Sequence, residues 1–564
     1  MRAIQILPLF FSIILAQRYR YLTFNEISNR LHTLQEKYPN LIKLETAQEL
    51  YNLPYPDCGN VKCAIYIVTL TEFQTLTNSR PEVFISGAVH GNEVLGPNIV
   101  VYLLEYLLEN YNKDTWITYL INNRKLVVMP SANAQGYYYN RREEIVQGMP
   151  LDPNRDFPYD SQPSKCLNTI AGRSIFYTIA DHMFVLGITF HGGDAVISYP
   201  WGSTNHMINN KAEESPDHIA MKQLSEMLSD VAGTYPSPFK VGTMTDTVYA
   251  VNGGLEDWAY AASWAKQVEG NTLVEECYGE SENKVVMNED NVRFPLILVE
   301  TDYNKYPNEV TWGNREGVNG RSGNGHIPRN IRMSLALMDM AEPYIRDVEA
   351  IYHNTTHMEL KWKVGGALSV DETYVEWNYS PGVQITSRSY IWFKGLEIIE
   401  EYSSFLFRTS SQNGPGYWTN PKHYFSVKLP IESLSSVNYT IRIAAITDQQ
   451  WASQRNPSPQ TRPLTHFARM RIERNYMAQS GISTISTNII FQSPPFKIRT
   501  IIMPARLNGN LIILIIIAAL IITFLLAMCM RLYMFFNDMK QGIPVAQSEA
   551  QAEVVIEGQE EIQS

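Results

Sequence analysis

Val83-Phe84-Ile85-Ser86-Gly87-Ala88-Val89-His90-Gly91-Asn92-Glu93 decides how this chain folds. Its first three residues are apolar, as in a strand covered on both faces, and glycine ends the run. Leu95, Ile99, Leu103, Leu104 and Leu107 then recur at helical spacing, so the strand turns directly into an amphipathic helix. A strand whose carboxyl end opens into a helix is the unit of α/β sheets, and side chains at such ends are where these folds build sites. Leu126-Val127-Val128, Gly187-Ile188-Thr189-Phe190 and Leu296-Ile297-Leu298-Val299 are apolar runs of the same kind. Upstream, Leu22-Thr23-Phe24-Asn25-Glu26 opens a helix that should end near Tyr38-Pro39, with Asn25 as N-cap. The alternation predicts an α/β domain with a mixed or parallel sheet over residues 17–345.

From Asp347 to Phe496 the helical periodicity stops. Segments such as Met358-Glu359-Leu360-Lys361-Trp362-Lys363-Val364 and Tyr439-Thr440-Ile441-Arg442-Ile443 alternate instead, between Gly, Pro and Ser turns. That pattern predicts an all-β, sandwich-like domain over 346–500. Sequons at Asn354, Asn378 and Asn438 mark the region as a glycosylated surface, with Pro381 reducing use of the second.

The ends predict topology. Met1-Arg2-Ala3, an apolar run from Ile4 to Ala16 and polar Gln17-Arg18 make residues 1–16 a secretory signal peptide. Leu511 to Met530 carries no charge and reads as one transmembrane helix after a 501–510 linker, leaving 531–564 as a short cytosolic tail. The expected arrangement is a single-pass type I membrane protein with residues 17–510 in the extracellular space or a secretory lumen. Cys58, Cys63, Cys166 and Cys277 are then an even set in an oxidising compartment. Of three possible pairings, one closes the Gly59-Asn60 turn between Cys58 and Cys63 and leaves Cys166 with Cys277. The 564 residues hold 46 Lys and Arg against 57 Asp and Glu, a net −11, with no basic run. Nucleic acid is excluded as a partner.

The chemistry starts from His90 and Glu93, which are close enough in sequence to share a zinc ion. A catalytic zinc needs a third protein ligand and an open position. Thr189-Phe190-His191-Gly192-Gly193-Asp194 supplies His191, again where an apolar run meets glycines. The spacing of His90 and Glu93 is common by itself; two His-Gly dipeptides at strand ends point to a metal pair.

Taken together, these segments resemble the zinc metallocarboxypeptidases, the superfamily that includes carboxypeptidases A, B, D, E and N, over about residues 20–345. His90-Gly91-Asn92-Glu93 resembles the first zinc motif, and His191-Gly192-Gly193-Asp194 the later zinc histidine in the form of the carboxypeptidase E group. Asn154-Arg155-Asp156-Phe157-Pro158 is similar to the substrate-anchoring segment, Gly253-Gly254-Leu255-Glu256-Asp257-Trp258-Ala259-Tyr260 to the loop ending in a mobile tyrosine, and Val299-Glu300-Thr301 to the strand of the catalytic glutamate. The resemblance implies one Zn2+ on His90, Glu93 and His191, with Glu300 as general base. It implies that Asn154, Arg155 and Tyr260 bind the C-terminal carboxylate of a peptide or protein. Arg141 or Arg142 would stabilise the oxyanion, Arg141 being favoured.

Elementary chemistry agrees with those roles. An exopeptidase must grip a carboxylate, and the planar fork of Arg does so in bidentate fashion. Zinc acidifies bound water and polarises a carbonyl, and a carboxylate moves the proton. Two departures stand out. Gly202 occupies the place where the carboxypeptidase E group has an aspartate, so apolar or aromatic C-terminal residues should be accepted at least as well as Lys or Arg. The stretch from Tyr260 to Glu300 is long and acidic, and could send a carboxylate to the pocket. Sequence resembling the mature enzyme begins almost directly after Ala16, so no inhibitory pro-segment is expected. The competing reading is a catalytically silent receptor or adhesion ectodomain; loss of His90, Glu93, His191 or Glu300 would have favoured it, and all are present. A serine hydrolase fails for want of a GxSxG elbow.

Overall fold

The computed structural model describes residues 18–492, apart from 78–79, 162–166, 183, 216, 262–293, 319–324, 343 and the connections between strands after Tyr352. The 1–16 leader, the 501–510 linker, the 511–530 span, the 531–564 tail, Cys166, Cys277 and the acidic stretch after Ala261 lie outside those residues. Among the described residues no helix is long and apolar enough to cross a membrane.

Eight strands form the central sheet: β1 (Ile42–Thr46), β2 (Tyr66–Leu70), β3 (Glu82–Gly87), β4 (Lys125–Met129), β5 (Phe184–His191), β6 (Asp194–Tyr199), β7 (Lys240–Thr243) and β8 (Leu296–Asp302). Their spatial order is β1-β2-β4-β3-β5-β8-β6-β7. The sheet is mixed: β4, β3, β5 and β8 run parallel, as do β6 and β7, while β1, β2 and β6 meet their inner neighbours antiparallel. All four apolar runs read from the sequence lie in β3, β4, β5 and β8, and Val83, Phe84, Ile85, Ile188, Phe190, Leu296 and Val299 are fully buried. Removing each such side chain from water stabilises the fold by about 1.5–3 kcal/mol.

The flanking helices include α1 (Phe24–Lys37), α2 (Leu95–Asn110), α3 (Ala134–Tyr139), α4 (Ile170–Asp181), α5 (His218–Ala232), α6 (Leu255–Ala261) and α7 (His326–Asp339). The N-cap of α1 is Thr23, not Asn25. Its hydroxyl accepts the Glu26 N–H while the Glu26 carboxylate accepts the Thr23 N–H at 2.9 Å, a reciprocal pairing that Asn25 cannot make from inside the helix. α2 packs on β3 and β5, and the contact is close because Gly87 meets Gly96: a Cβ on Gly87 would lie 2.5 Å from the Gly96 carbonyl carbon. Short strands at Asp57–Cys58 and Val61–Lys62 are bridged by a Cys58–Cys63 disulfide, the pairing expected for that turn.

Beyond α7 the described residues are strands. Tyr344–Tyr352, His357–Gly365 and Tyr424–Pro430 form one antiparallel sheet. Ser389–Phe393, Glu372–Ser380, Asn438–Thr447 and Ser483–Gln492 form another. The first strand begins at Tyr344, inside the segment assigned to the α/β domain, because α7 ends at Asp339 and little chain separates them.

Candidate active site

β3, β5 and β8 are parallel neighbours, so their carboxyl ends share one edge of the sheet. The turn after β3 carries His90 and Glu93, His191 is the last residue of β5, and Glu300 lies beside His191 in register on β8. The turn is held against α3, where a Cβ on Gly91 would lie 2.0 Å from the Gly136 carbonyl carbon.

His90, Glu93 and His191 are 4 %, 2 % and 1 % exposed, and their donor atoms lie within 4.8 Å of one another. Glu93 Oε1 is 3.1 Å from His90 Nδ1, Glu93 Oε2 is 3.0 Å from His191 Nδ1, and the two Nδ1 atoms are 3.1 Å apart. The far nitrogens face carboxylates: His90 Nε2 is 2.9 Å from Asp152 Oδ1 and His191 Nε2 is 3.4 Å from Glu256 Oε1. Asp152 on that side fixes the Nε2–H tautomer of His90 and turns its Nδ1 lone pair toward the shared point, whereas His191 Nε2 makes no hydrogen bond among the described residues. Two imidazole nitrogens and a carboxylate converging this way are a zinc donor set.

The charges agree. Burial opposes ionisation of Glu93, but His90 and His191 hold its carboxyl well below the usual carboxylate range. Burial likewise opposes a proton on His191, yet Glu256 and Glu93 outweigh it and raise that imidazole to about 10. Burial and the nearby Glu93 charge push Glu300 up to about 7, and its Oε2 is a buried oxygen with no hydrogen-bond partner among the described residues. A buried acceptor left free beside a metal triad suits a group whose partner is a reacting water. Lys305 donates to Glu93 Oε1 at 2.9 Å.

Asn154 and Arg155 line the same cleft as His90, His191 and Glu300. Asn154 Oδ1 accepts the Leu255 N–H at 2.7 Å, and Arg155 donates to its neighbour's carbonyl at 2.6 Å and to the Tyr249 hydroxyl at 3.2 Å. Gly253, at φ +69°, lets the Tyr249–Gly254 loop lie against Arg155: a Cβ there would be 2.5 Å from the Arg155 carbonyl oxygen.

Arg141 and Tyr260 are not among the residues that line this cleft. Arg141 is exposed, its guanidinium 5.3 Å from the Tyr139 ring centroid, whereas Arg142 turns inward. Arg142 reaches Glu93 Oε1 at 3.4 Å and His90 Nδ1 at 3.2 Å, and two of its nitrogens hold Asp152 Oδ2 at 2.8 and 3.1 Å. Tyr260, expected as the mobile tyrosine, is fully buried on α6, donates to Asp217 Oδ2 at 2.7 Å and packs edge-on against Trp201. Tyr249, 51 % exposed, lines the cleft, and its hydroxyl accepts from Arg155 at 3.2 Å. The sequence carried a signal for it: Tyr249 precedes Gly253-Gly254 in the loop, while Tyr260 follows them in helical sequence.

The mixed α/β sheet thus gathers a His-Glu-His donor set that could hold a metal ion, with the buried carboxylate of Glu300 beside it. Residues 27–273 match the Peptidase M14 zinc carboxypeptidase family model. Human carboxypeptidase D is 26 % identical over 268 residues, 42 % of this chain and 18 % of that protein. Mouse carboxypeptidase M is 27 % identical over 209 residues, 33 % of this chain and 45 % of that one. Zinc carboxypeptidase A 1 of Anopheles gambiae is 28 % identical over 214 residues, 33 % and 47 % of the two chains. The match thus spans less than half the length of each of these relatives. The crystal structure of thrombin activatable fibrinolysis inhibitor aligns with a TM-score of 0.40 at 14 % identity, covering 57 % of this chain and 73 % of that one.

Proposed function

We propose that the chain is a zinc-dependent metallocarboxypeptidase that hydrolyses the last peptide bond of peptides or proteins. The observation that carries this is the convergence of His90, Glu93 and His191 in one cleft with Glu300 and Arg155. Zinc held by that triad would acidify a water and polarise the scissile carbonyl. Glu300 takes the water's proton and returns it to the leaving amine, a role supported by its free, buried Oε2. Arg155 binds the terminal carboxylate with Asn154, and Tyr249 caps it in place of Tyr260, supported by the bond between Tyr249 and Arg155. Arg142 takes the oxyanion role from Arg141, supported by its approach to the triad.

The pocket for the C-terminal side chain is assigned to the cleft walls formed by Met244, Val248, Val251 and Leu298, with Glu256 among them. We assign this cleft to the lumenal or extracellular side, with the leader, span and tail as expected from sequence and residues 346–500 as a β-sandwich domain. The Cys58–Cys63 disulfide supports an oxidising compartment and the two antiparallel sheets support the domain.

Two outcomes test the site. The parent protein should bind close to one zinc per chain, and His191→Ala should lose most of it in metal analysis; equal metal content in both would overturn the ligand assignment. A peptide with a free C-terminus should be trimmed residue by residue, while its C-terminal amide is nearly inert because it leaves Arg155 without a charge partner. Arg155→Ala should flatten that difference by slowing attack on the acid. Equal cleavage of acid and amide by the parent would remove the anchoring role.

A further inference from the structure

We infer that Glu144 and Asp156 are positioning residues, which set the places of Arg142 and Arg155 by holding the backbone beside each arginine on the N-terminus of α4. The inference rests on the roles proposed above for the two arginines and adds what locates them. Residues 142–156 form one excursion of the chain. Glu144–Val146 pairs antiparallel with Met149–Leu151, Glu144 opposite Leu151, so the two ends of this excursion lie side by side. Arg142 stands two residues before Glu144, and Arg155 directly precedes Asp156.

Both ends are tied to the same helix. The two Glu144 oxygens accept the Ile170 and Ala171 N–H groups, each at 2.8 Å. Asp156 Oδ1 accepts the Asn168 N–H at 2.8 Å, and its Oδ2 accepts the Thr169 N–H at 2.7 Å and the Thr169 hydroxyl at 2.6 Å. Both carboxylates are buried, and a Cβ on Gly172 would lie 2.7 Å from Asp156 Oδ2, so the helix end is shaped around them. Burial pushes both carboxyls above their ordinary values, and the Asp156 charge pushes Glu144 further. Those hydrogen bonds and the positive end of the helix hold the two neighbouring carboxylates against that cost. Thr169 already caps α4 by accepting the Gly172 N–H at 2.8 Å, so the carboxylates are not needed to start the helix. What they add is a fixed distance from a rigid helix end to the backbone of each arginine.

The test compares kcat and KM for a free-acid peptide, per zinc-loaded folded chain, in the parent, Glu144→Gln and Asp156→Asn. Each amide keeps the shape of its carboxylate but sets an NH2 against one of the N–H donors, so the arginine next to it should shift. Misplacing a group by about 1 Å costs up to about 10²-fold, and an effect of about tenfold is expected here. Asp156→Asn should raise KM and leave kcat near the parent, because Arg155 grips the terminal carboxylate in ground and transition states alike. Glu144→Gln should lower kcat and leave KM near the parent, because Arg142 meets charge that develops only in the transition state. A purely structural role would lower thermal stability in both variants without dividing the two constants between them. Should either amide fail to fold, Glu144→Asp and Asp156→Glu, which retain the charge at altered reach, are measured instead and should show the same division to a smaller extent. Both constants within about twofold of the parent, or the same change in both variants, would overturn the anchoring role. A parent that cleaves acid and amide alike would instead overturn the roles of the arginines, and this inference with them.

Discussion

Glu300→Gln is expected to lower turnover by about 10²- to 10⁴-fold, roughly 2.7–5.5 kcal/mol of transition-state stabilisation, while zinc content and peptide binding stay near those of the parent. Gln fills the same volume and keeps an oxygen, but it cannot accept a proton from water at neutral pH. The side chain sits in register beside His191 and outside the donor set, so the metal should not notice the change. The pH profile gives an independent reading. Burial and Glu93 raise the Glu300 carboxyl to about 7, and Lys305 works in the opposite direction. The base acts when deprotonated, so kcat/KM should rise with pH through its titration. Lys305→Met removes a positive charge that favours the carboxylate, and the acid limb should therefore move to higher pH. Near-normal turnover in Glu300→Gln, or a limb that moves to lower pH in Lys305→Met, would exclude Glu300 as the base.

How much of this was readable before any coordinates follows from what kind of signal each residue leaves. His90, Glu93, His191 and Glu300 could be found because each stands where an apolar run ends, and the sheet order that joins β3, β5 and β8 then brings them together. Arg155 and Asn154 were carried by a continuous motif. Arg141 and Tyr260 were less legible: neighbours in sequence point to different places, and only the geometry of the turn after α3 or of the helix α6 tells where each side chain lies. Asp152 lies beside the Asn154-Arg155 motif and Glu256 inside the Gly253–Tyr260 segment, but neither carries a periodic or compositional mark, since a carboxylate near a histidine can come from any element. The N-cap of α1 was displaced by two residues because both Thr23 and Asn25 suit that position, and the position of Glu26 decides between them through its bond to Thr23.

The preference for the C-terminal side chain depends on which carboxylate the proposed pocket can offer. Gly202 offers no carboxylate, and the space above it is taken: a Cβ on Gly202 would lie 2.9 Å from Met244 Cε. Asp257 lines the cleft but is already committed, its oxygens accepting the Gly202 and Ser203 N–H groups at 2.6–3.1 Å, and burial pushes it up to about 8. Glu256 is the carboxylate left with capacity to spare, and Met244, Val248, Val251 and Leu298 give aliphatic walls beside it. A Lys or Arg side chain can lay its methylenes along those walls and bring its charge to Glu256. A Phe or Leu would fill the walls and leave a buried carboxylate without that partner, a loss comparable to breaking a buried ion pair. Peptides ending in Lys or Arg are therefore expected to exceed matched peptides ending in Phe or Leu by at least about a hundredfold in kcat/KM, roughly 2.7 kcal/mol. Glu256→Gln should bring the two classes within about tenfold by losing the basic substrates. The assignment of this pocket would be wrong if the parent enzyme cleaved Phe and Leu as fast as Lys and Arg, or if Glu256→Gln left a strong basic preference in place.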